Sequence, residues 1–233
     1  MREDLADAIE TAVRGAGVRV IVISGSGRAF SAGADIEVMA GLLERGDEDA
    51  FIRNLEAGER VVRAIATAPQ PVIAALNGAG VGAGASLAIA CDLRIASEKA
   101  KIGFTFNRIG LHPDWGATHF LPRLVGSGRA AELIFSARII DACEARDAGI
   151  FGEVVADGDF RARVTEVARE MAGKAPLALA AVKRTLASGD GGGALDAALR
   201  QEREAQLLCF RSSDVREGIA AFREKRSPLF EGR

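Results

Sequence analysis

The sequence predicts an α/β fold, and three observations carry that expectation. Val18-Arg19-Val20-Ile21-Val22-Ile23 and Pro71-Val72-Ile73-Ala74-Ala75-Leu76 are apolar, partly β-branched runs of strand length. Each passes through a string of small residues into a helical pattern. From Arg161 onward, apolar residues recur only at helical spacing. Strand, tight turn and helix in alternation is the pattern of a sheet with helical crossovers. A helical region follows it.

Taken in order, Leu5, Ile9 and Val13 make Glu3 to Arg14 a helix ahead of the first strand. Small residues run from Ser24 to Asp35. A charged stretch, Glu44 to Asp49, reads as a solvated connection into an amphipathic helix from Ala50 to Ala66, closed by Pro69 and Pro71. The second strand enters the run Gly78-Ala79-Gly80-Val81-Gly82-Ala83-Gly84-Ala85, and Ser86 to Cys91 opens an apolar helix. Asp92 to Ala96 and Lys101 to Phe104 are short strands. The loop Ile109 to Thr118 leads into a helix through Leu124; a short helix from Asp141 to Gly149 and a strand Gly152 to Val155 follow. Helices are predicted over Arg161 to Ala172, Pro176 to Ala187, Ala194 to Phe210 and Val215 to Lys225, with a flexible break at 188–193. Asp214 and Glu217 resemble a capping box, and Val215, Ile219 and Phe222 form the last helix's apolar stripe.

Composition narrows the class. With 233 residues, 48% hydrophobic and 27% charged, the chain has enough apolar surface for a substantial core. A net charge of -2 gives no electrostatic footprint for nucleic acid or an acidic membrane. No apolar run reaches the roughly 18 residues of a membrane span, and the amphipathic, acidic start is unlike a signal peptide. A cytoplasmic protein is expected. Cys91, Cys143 and Cys209, odd in number and widely spaced, read as reduced packing residues. The two histidines, His112 and His119, lack the spacing of a metal pair, so no metal is expected.

The two small-residue turns carry the chemistry. The first turn of a helix offers unpaired N–H groups and a positive dipole end, and small residues let a ligand approach them. The glycine run is not followed by Lys-Ser/Thr and fails the G-x-G-x-x-G spacing, which leaves a small-oxyanion site or plain close packing of helix on strand. If the two turns face each other, one N–H from each grips a single carbonyl oxygen as charge develops on it.

Phe30-Ser31-Ala32-Gly33-Ala34-Asp35-Ile36 and Asn77-Gly78 through Cys91-Asp92 resemble the two signature blocks of the crotonase superfamily, the enoyl-CoA hydratase/isomerase family. The resemblance covers nearly the whole chain. It implies a ββα spiral core over residues 1–172 and a helical oligomerisation region over 173–233, assembled as a trimer or a dimer of trimers. It implies an acyl-CoA thioester as substrate with no further cofactor. It places the oxyanion hole at the amides of Ala34 and Ala83, with Ala32, Asp35, Ile36, Gly82, Phe106 and Trp115 around the substrate. Members of the family normally carry a strand pair and an Asn-Ala loop ahead of the first helix; this sequence begins at that helix, as a start placed late or a shortened member would, and the segment bears on sheet completeness and coenzyme affinity. In the closing segment, Phe222 and Lys225 match positions that reach a neighbouring subunit's coenzyme, and a Lys suits a diphosphate. Lys225 also suits a solvated helix end compensating the dipole.

The reaction turns on departures from that pattern. The positions of the hydratases' two glutamates are Ser86 and Phe106, so the pair of carboxylates that activates water is missing. Asp114 stands in a Gly-Leu-x-Pro-Asp loop similar to that of the superfamily's isomerases, where one Asp is the acid/base. A lone carboxylate suffices to move a proton between two carbons, and double-bond isomerisation is the expected activity. Asp directly before a helix is also a favoured N-cap. The dehalogenase pattern needs a distant His, and none lies between Ala34 and Leu111. His112 is placed to tune Asp114 or to pack; Glu132 and Glu153 read as solvated or structural. A hydratase or related lyase, and a catalytically silent acyl-CoA-binding protein, are the alternatives.

Overall fold

A computed structural model describes residues 2–188 and 193–232, so most of the break predicted at 188–193 lies outside the described residues. Helix α1 (Arg2–Arg14) comes first, and strands then follow in pairs: β1 (Ile21–Ser24) with β2 (Ala29–Ser31), β3 (Val72–Leu76) with β4 (Ala79–Val81), and β5 (Leu93–Ser97) with β6 (Lys101–Gly103). Helices α2 (Ile36–Arg45) and α3 (Glu48–Thr67) separate the first two pairs, and α4 (Ala83–Ala90) separates the next two. After a 3-10 turn (Phe106–Ile109) come α5 (Ala117–Val125), α6 (Ser127–Ser136), β7 (Ile139–Asp141), α7 (Ala142–Asp147) and β8 (Glu153–Val155). Four helices end the described chain: α8 (Phe160–Ala172), α9 (Pro176–Ser188), α10 (Ala194–Arg211) and α11 (Ser213–Glu224).

The first strand of each pair joins one sheet, in the order β1-β3-β5-β8, and the second joins another, β2-β4-β6-β7. Every pairing is parallel except β6 with β7. Parallel neighbours require a crossover, and the helices between the pairs supply it. Repetition of that step winds the chain into a ββα spiral.

Strand β3 is buried at all five residues because both of its faces are covered. Val72, Ala74 and Leu76 enter the main core, whereas Ile73 and Ala75 pack with Ile95, Val164 and Val167 beneath α8. The C-terminal helices fold back on this body: α10 lies against α3 and α5, and α11 against α2 and the 3-10 turn. Gly218 makes the latter contact possible, since a Cβ there would come 2.6 Å from the Ile109 backbone.

Several local expectations are corrected. The glycine run is not one turn: Ala79–Val81 is a strand, and the helix starts at Ala83 rather than Ser86. Strands β2 and β7 and the bounds of α6 were not read from the sequence, because three-residue strands made by pairing carry no period of their own. The charged stretch at 44–49 is not a connection but the abutting ends of α2 and α3, with Gly46 as a left-handed C-cap and Asp47 capping α3 through Ala50 N–H. Asp214 and Glu217 form no capping box. Ser212 caps α11, while Asp214 accepts from the N–H groups of Glu231 and Gly232 and Glu217 accepts from Leu229 N–H. Phe222 is 59% exposed, so the buried stripe of α11 is Val215, Gly218, Ile219 and Ala221. Cys143 is exposed and does no packing, unlike buried Cys91.

Candidate active site

The two signature turns lie against each other. Gly33 has φ +84°, and a Cβ there would fall 2.8 Å from Val81 O and 3.3 Å from Ala83 N. The first block's backbone thus rests on the start of α4, at a conformation that L side chains rarely adopt. Gly84 permits the reverse approach, since its Cβ would lie 2.6 Å from Ser31 Cβ. Ala83, the first residue of α4, follows Gly82 (φ 54°) and lacks an intrahelical acceptor for its N–H. Among the described residues, no hydrogen bond occupies the N–H of Ala34 or of Ala83.

A cavity of about 70 Å³ opens beside these amides. Its walls include Ala32, Ala34, Ile36, Gly82, Ala83, Phe106, Asp114 and Trp115, so eight of the predicted site residues converge. Met39, Phe51 and Leu55 make much of the remaining wall apolar, and Arg2, Asn54, Thr105 and Gln206 add polar groups. Asp35 does not line this cavity, and its Oδ1 accepts from the N–H groups of Glu37 and Val38 as the N-cap of α2. Phe222 and Lys225 also lie outside the cavity wall, and Lys225 ends α11 in a left-handed conformation.

Asp114 does not cap α5. That helix begins after Gly116, and its end is satisfied by a distant carboxylate: Glu202 of α10 accepts from Gly116 N–H at 2.7 Å, from Thr118 N–H at 2.8 Å and from the Thr118 hydroxyl at 2.6 Å. The Asp114 side chain is free for the cavity. It is buried, Gln206 Nε2 donates to its Oδ2 at 3.1 Å, and its Oδ1 has no partner. Burial pushes the pKa of its carboxyl up to about 7, and the neighbouring Glu202 charge adds to the rise, against Arg2 and the Gln206 donor.

The sign of that shift fixes how stability depends on pH. The folded state holds a proton that the unfolded chain releases near 3.8, so stability from this group is present in acid and is lost as pH rises through about 7. Relative to Asp114→Asn, the wild type is expected to lose about tenfold in its folding equilibrium per pH unit between those values, by denaturant titration.

Glu202 and Gln206 were missed at the sequence level, although a signal existed. Both fall on the apolar stripe of α10 with Leu199 and Phe210, and both are 1% exposed. A carboxylate on a buried stripe is costly unless it is used. Burial raises the Glu202 pKa, and its Thr118 and Gly116 donors oppose that rise. Glu202→Gln is expected to move the Asp114 titration to lower pH by removing the neighbouring negative charge. It also costs about 1–3 kcal/mol by leaving Gly116 N–H without an acceptor. The pH dependence of activity together with thermal unfolding checks both.

With this geometry in hand, residues 1–233 match the sequence family described as enoyl-CoA hydratase/isomerase. The chain belongs to this family. A probable enoyl-CoA hydratase of Bacillus subtilis is 39% identical over 99% of this chain and 88% of its own length. The 1,2-epoxyphenylacetyl-CoA isomerase of Escherichia coli is 35% identical over all of this chain and 88% of its own. A crystal structure of an enoyl-CoA hydratase from Mycobacterium avium subsp. paratuberculosis superposes with a TM-score of 0.87 at 33% identity, covering 99% of this chain and 87% of that one.

Within this enoyl-CoA hydratase/isomerase family member, Ser86 is wholly buried with its hydroxyl 3.4 Å from Gly82 O, and Phe106 presents a ring to the cavity. Asp114 is the one carboxylate among the described lining residues. Trp115 walls the cavity at φ 57° and packs on α3 where a Cβ on Gly58 would come 2.0 Å from its indole nitrogen. Neither histidine lines the cavity: His112 contacts Pro113 O at 2.6 Å, and His119 meets Phe120 edge-on. Glu132 pairs with Arg129 and Arg138, and Glu153 with Arg163. Among the described residues, no three His, Cys, Asp or Glu side chains are grouped to hold a metal ion, and no helix is long and apolar enough to cross a membrane.

Proposed function

We propose that this chain is an enoyl-CoA isomerase that converts 3-enoyl to 2-enoyl thioesters. The thioester oxygen sits between the Ala34 and Ala83 amides, and ionised Asp114 removes a proton from C2. The electron pair of that C–H bond moves into the thioester and leaves an enolate, whose charge the two N–H groups bind more tightly than the ground-state carbonyl. Asp114, now neutral, returns the proton to C4; the enolate electrons form the C2=C3 bond as C3=C4 is lost. No water is consumed. Asp114 as the sole carboxylate on the cavity wall among the described residues is the observation that supports this reading.

A base that must be ionised sets the pH profile: turnover is expected to rise with pH through about 7 and level off above it. The choice of reaction is tested by giving the protein 3-enoyl-CoA and 2-enoyl-CoA separately and following ultraviolet absorbance and product mass. Conjugation of the 3-enoyl substrate without gain of water is the expected result. Net hydration of the 2-enoyl substrate would make this a hydratase, as several relatives are named, and neither change would leave a silent acyl-CoA-binding protein.

The same reading puts the enzyme in the cytoplasm as a homotrimer or dimer of trimers that uses coenzyme A only as part of its substrate. Exposed Phe222, 59% accessible, and Leu208, 74% accessible, supply apolar surface for such packing, with Lys225 beside a neighbour's coenzyme.

A further inference from the structure

We propose that Gln206 is a positioning residue that holds Asp114 as a neutral acid, through a paired contact in which Nε2 donates to Oδ2 and a proton on Oδ1 donates to Oε1. The inference rests on the reading of Asp114 as the acid/base group. Nε2 lies 3.1 Å from Oδ2, and in the pairing proposed the planar amide and the planar carboxyl face each other so that their remaining oxygens meet. Those two atoms, Asp114 Oδ1 and Gln206 Oε1, are both buried and both without a partner. Buried polar atoms without partners are rare because each costs free energy. A single proton on Oδ1 satisfies the pair at once, as donor from the acid and acceptor on the amide.

The amide therefore tells the two forms of Asp114 apart. The neutral acid gains two attractive contacts. The carboxylate gains one, from Nε2, which taken alone favours ionisation, and suffers a repulsion between Oδ1 and Oε1 that the neutral acid replaces with an attraction. Other charges face the same carboxyl: Arg2 of α1 favours its ionised form and Glu202 of α10 its neutral form. Behind Glu202, Glu59 of α3 is paired with Arg63 and Arg203. In the reaction, the proton that leaves C2 lands on a carboxyl whose neutral form has an acceptor in place, so Gln206 strengthens Asp114 as a base.

The test needs no substrate, so it stands or falls separately from the isomerase reading. Thermal unfolding of the full chain is measured at about pH 5.5 and about pH 8.5, on either side of the Asp114 titration, for wild type, Gln206→Met, Asp114→Asn and the double variant. In the Asp114 background, Gln206→Met is expected to lower the Tm about twice as much at the acid pH as at the alkaline one. In the Asp114→Asn background, where the Asn Nδ2 donates to Oε1 at either pH, the lowering is equal at both. A Tm loss that grows with pH, or a pH dependence that survives in Asp114→Asn, overturns the proposal. Should Gln206→Met not fold, infrared spectra of the wild type decide: at about pH 5.5, a protonated-carboxyl band that Asp114→Asn lacks and that lies at the lowered frequency of a hydrogen-bonded acid supports the acid–amide pair, and a band at the frequency of a free buried acid, or no band, refutes it.

Discussion

Asp114→Asn is expected to lower the rate of 3-enoyl-CoA isomerisation by roughly 10²–10⁴-fold, the range over which a positioned acid/base acts. The substitution keeps the shape of the side chain and its contact with Gln206, and it removes the one carboxylate that the described residues bring to the cavity wall. Substrate KM should change little, because the thioester grip is made elsewhere. The folded chain should be more stable than wild type above about pH 7, where the wild type carries a buried carboxylate. Steady-state kinetics and denaturant titration on one preparation give both numbers. Loss of activity without loss of stability separates a chemical role from a structural one, and unchanged turnover would remove Asp114 from the mechanism.

Gly33→Ala is expected to lower kcat by about 10²–10³-fold, as deletion of one oxyanion-hole donor does. The added methyl would meet Val81 O at 2.8 Å and Ala83 N at 3.3 Å, and neither is a flexible side-chain end. The backbone at φ +84° adds strain of its own. The two turns must part by a few tenths of an ångström, which is enough to spoil a pair of amides meant for one atom. Binding of coenzyme A itself, measured by calorimetry, should be retained, so a fall confined to kcat marks the oxyanion hole as the damaged part. Parallel loss of binding and folding would show instead that Gly33 serves packing alone.

The elements that announced themselves in the sequence were those with a period of their own. Val72–Leu76 is a run of apolar residues and is a strand; Val215 and Ile219 keep helical spacing and are buried. Ala29–Ser31 and Ala79–Val81 have no such period, and they are strands because a second sheet pairs them. The site divides the same way. Ala34, Ala83 and Asp114 stand in short motifs and converge on one cavity, whereas Gln206, on its wall, and Glu202, at the start of α5, come from a helix some ninety residues later in the chain. The N-cap reading of Asp114 failed for that reason. Glu202 takes the N–H groups at the start of α5, and no local reading of Asp114 and its neighbours contains a residue so remote.

The arrangement of two amides and one carboxylate is tested most directly by a crystal structure with a non-reactive acyl-CoA analogue. The thioester oxygen is predicted to lie within roughly 2.7–3.1 Å of both Ala34 N and Ala83 N, with C2 of the acyl group facing the Asp114 carboxyl. An oxygen held by only one of these amides or by neither, or an acyl chain that turns C2 away from Asp114, would contradict the account.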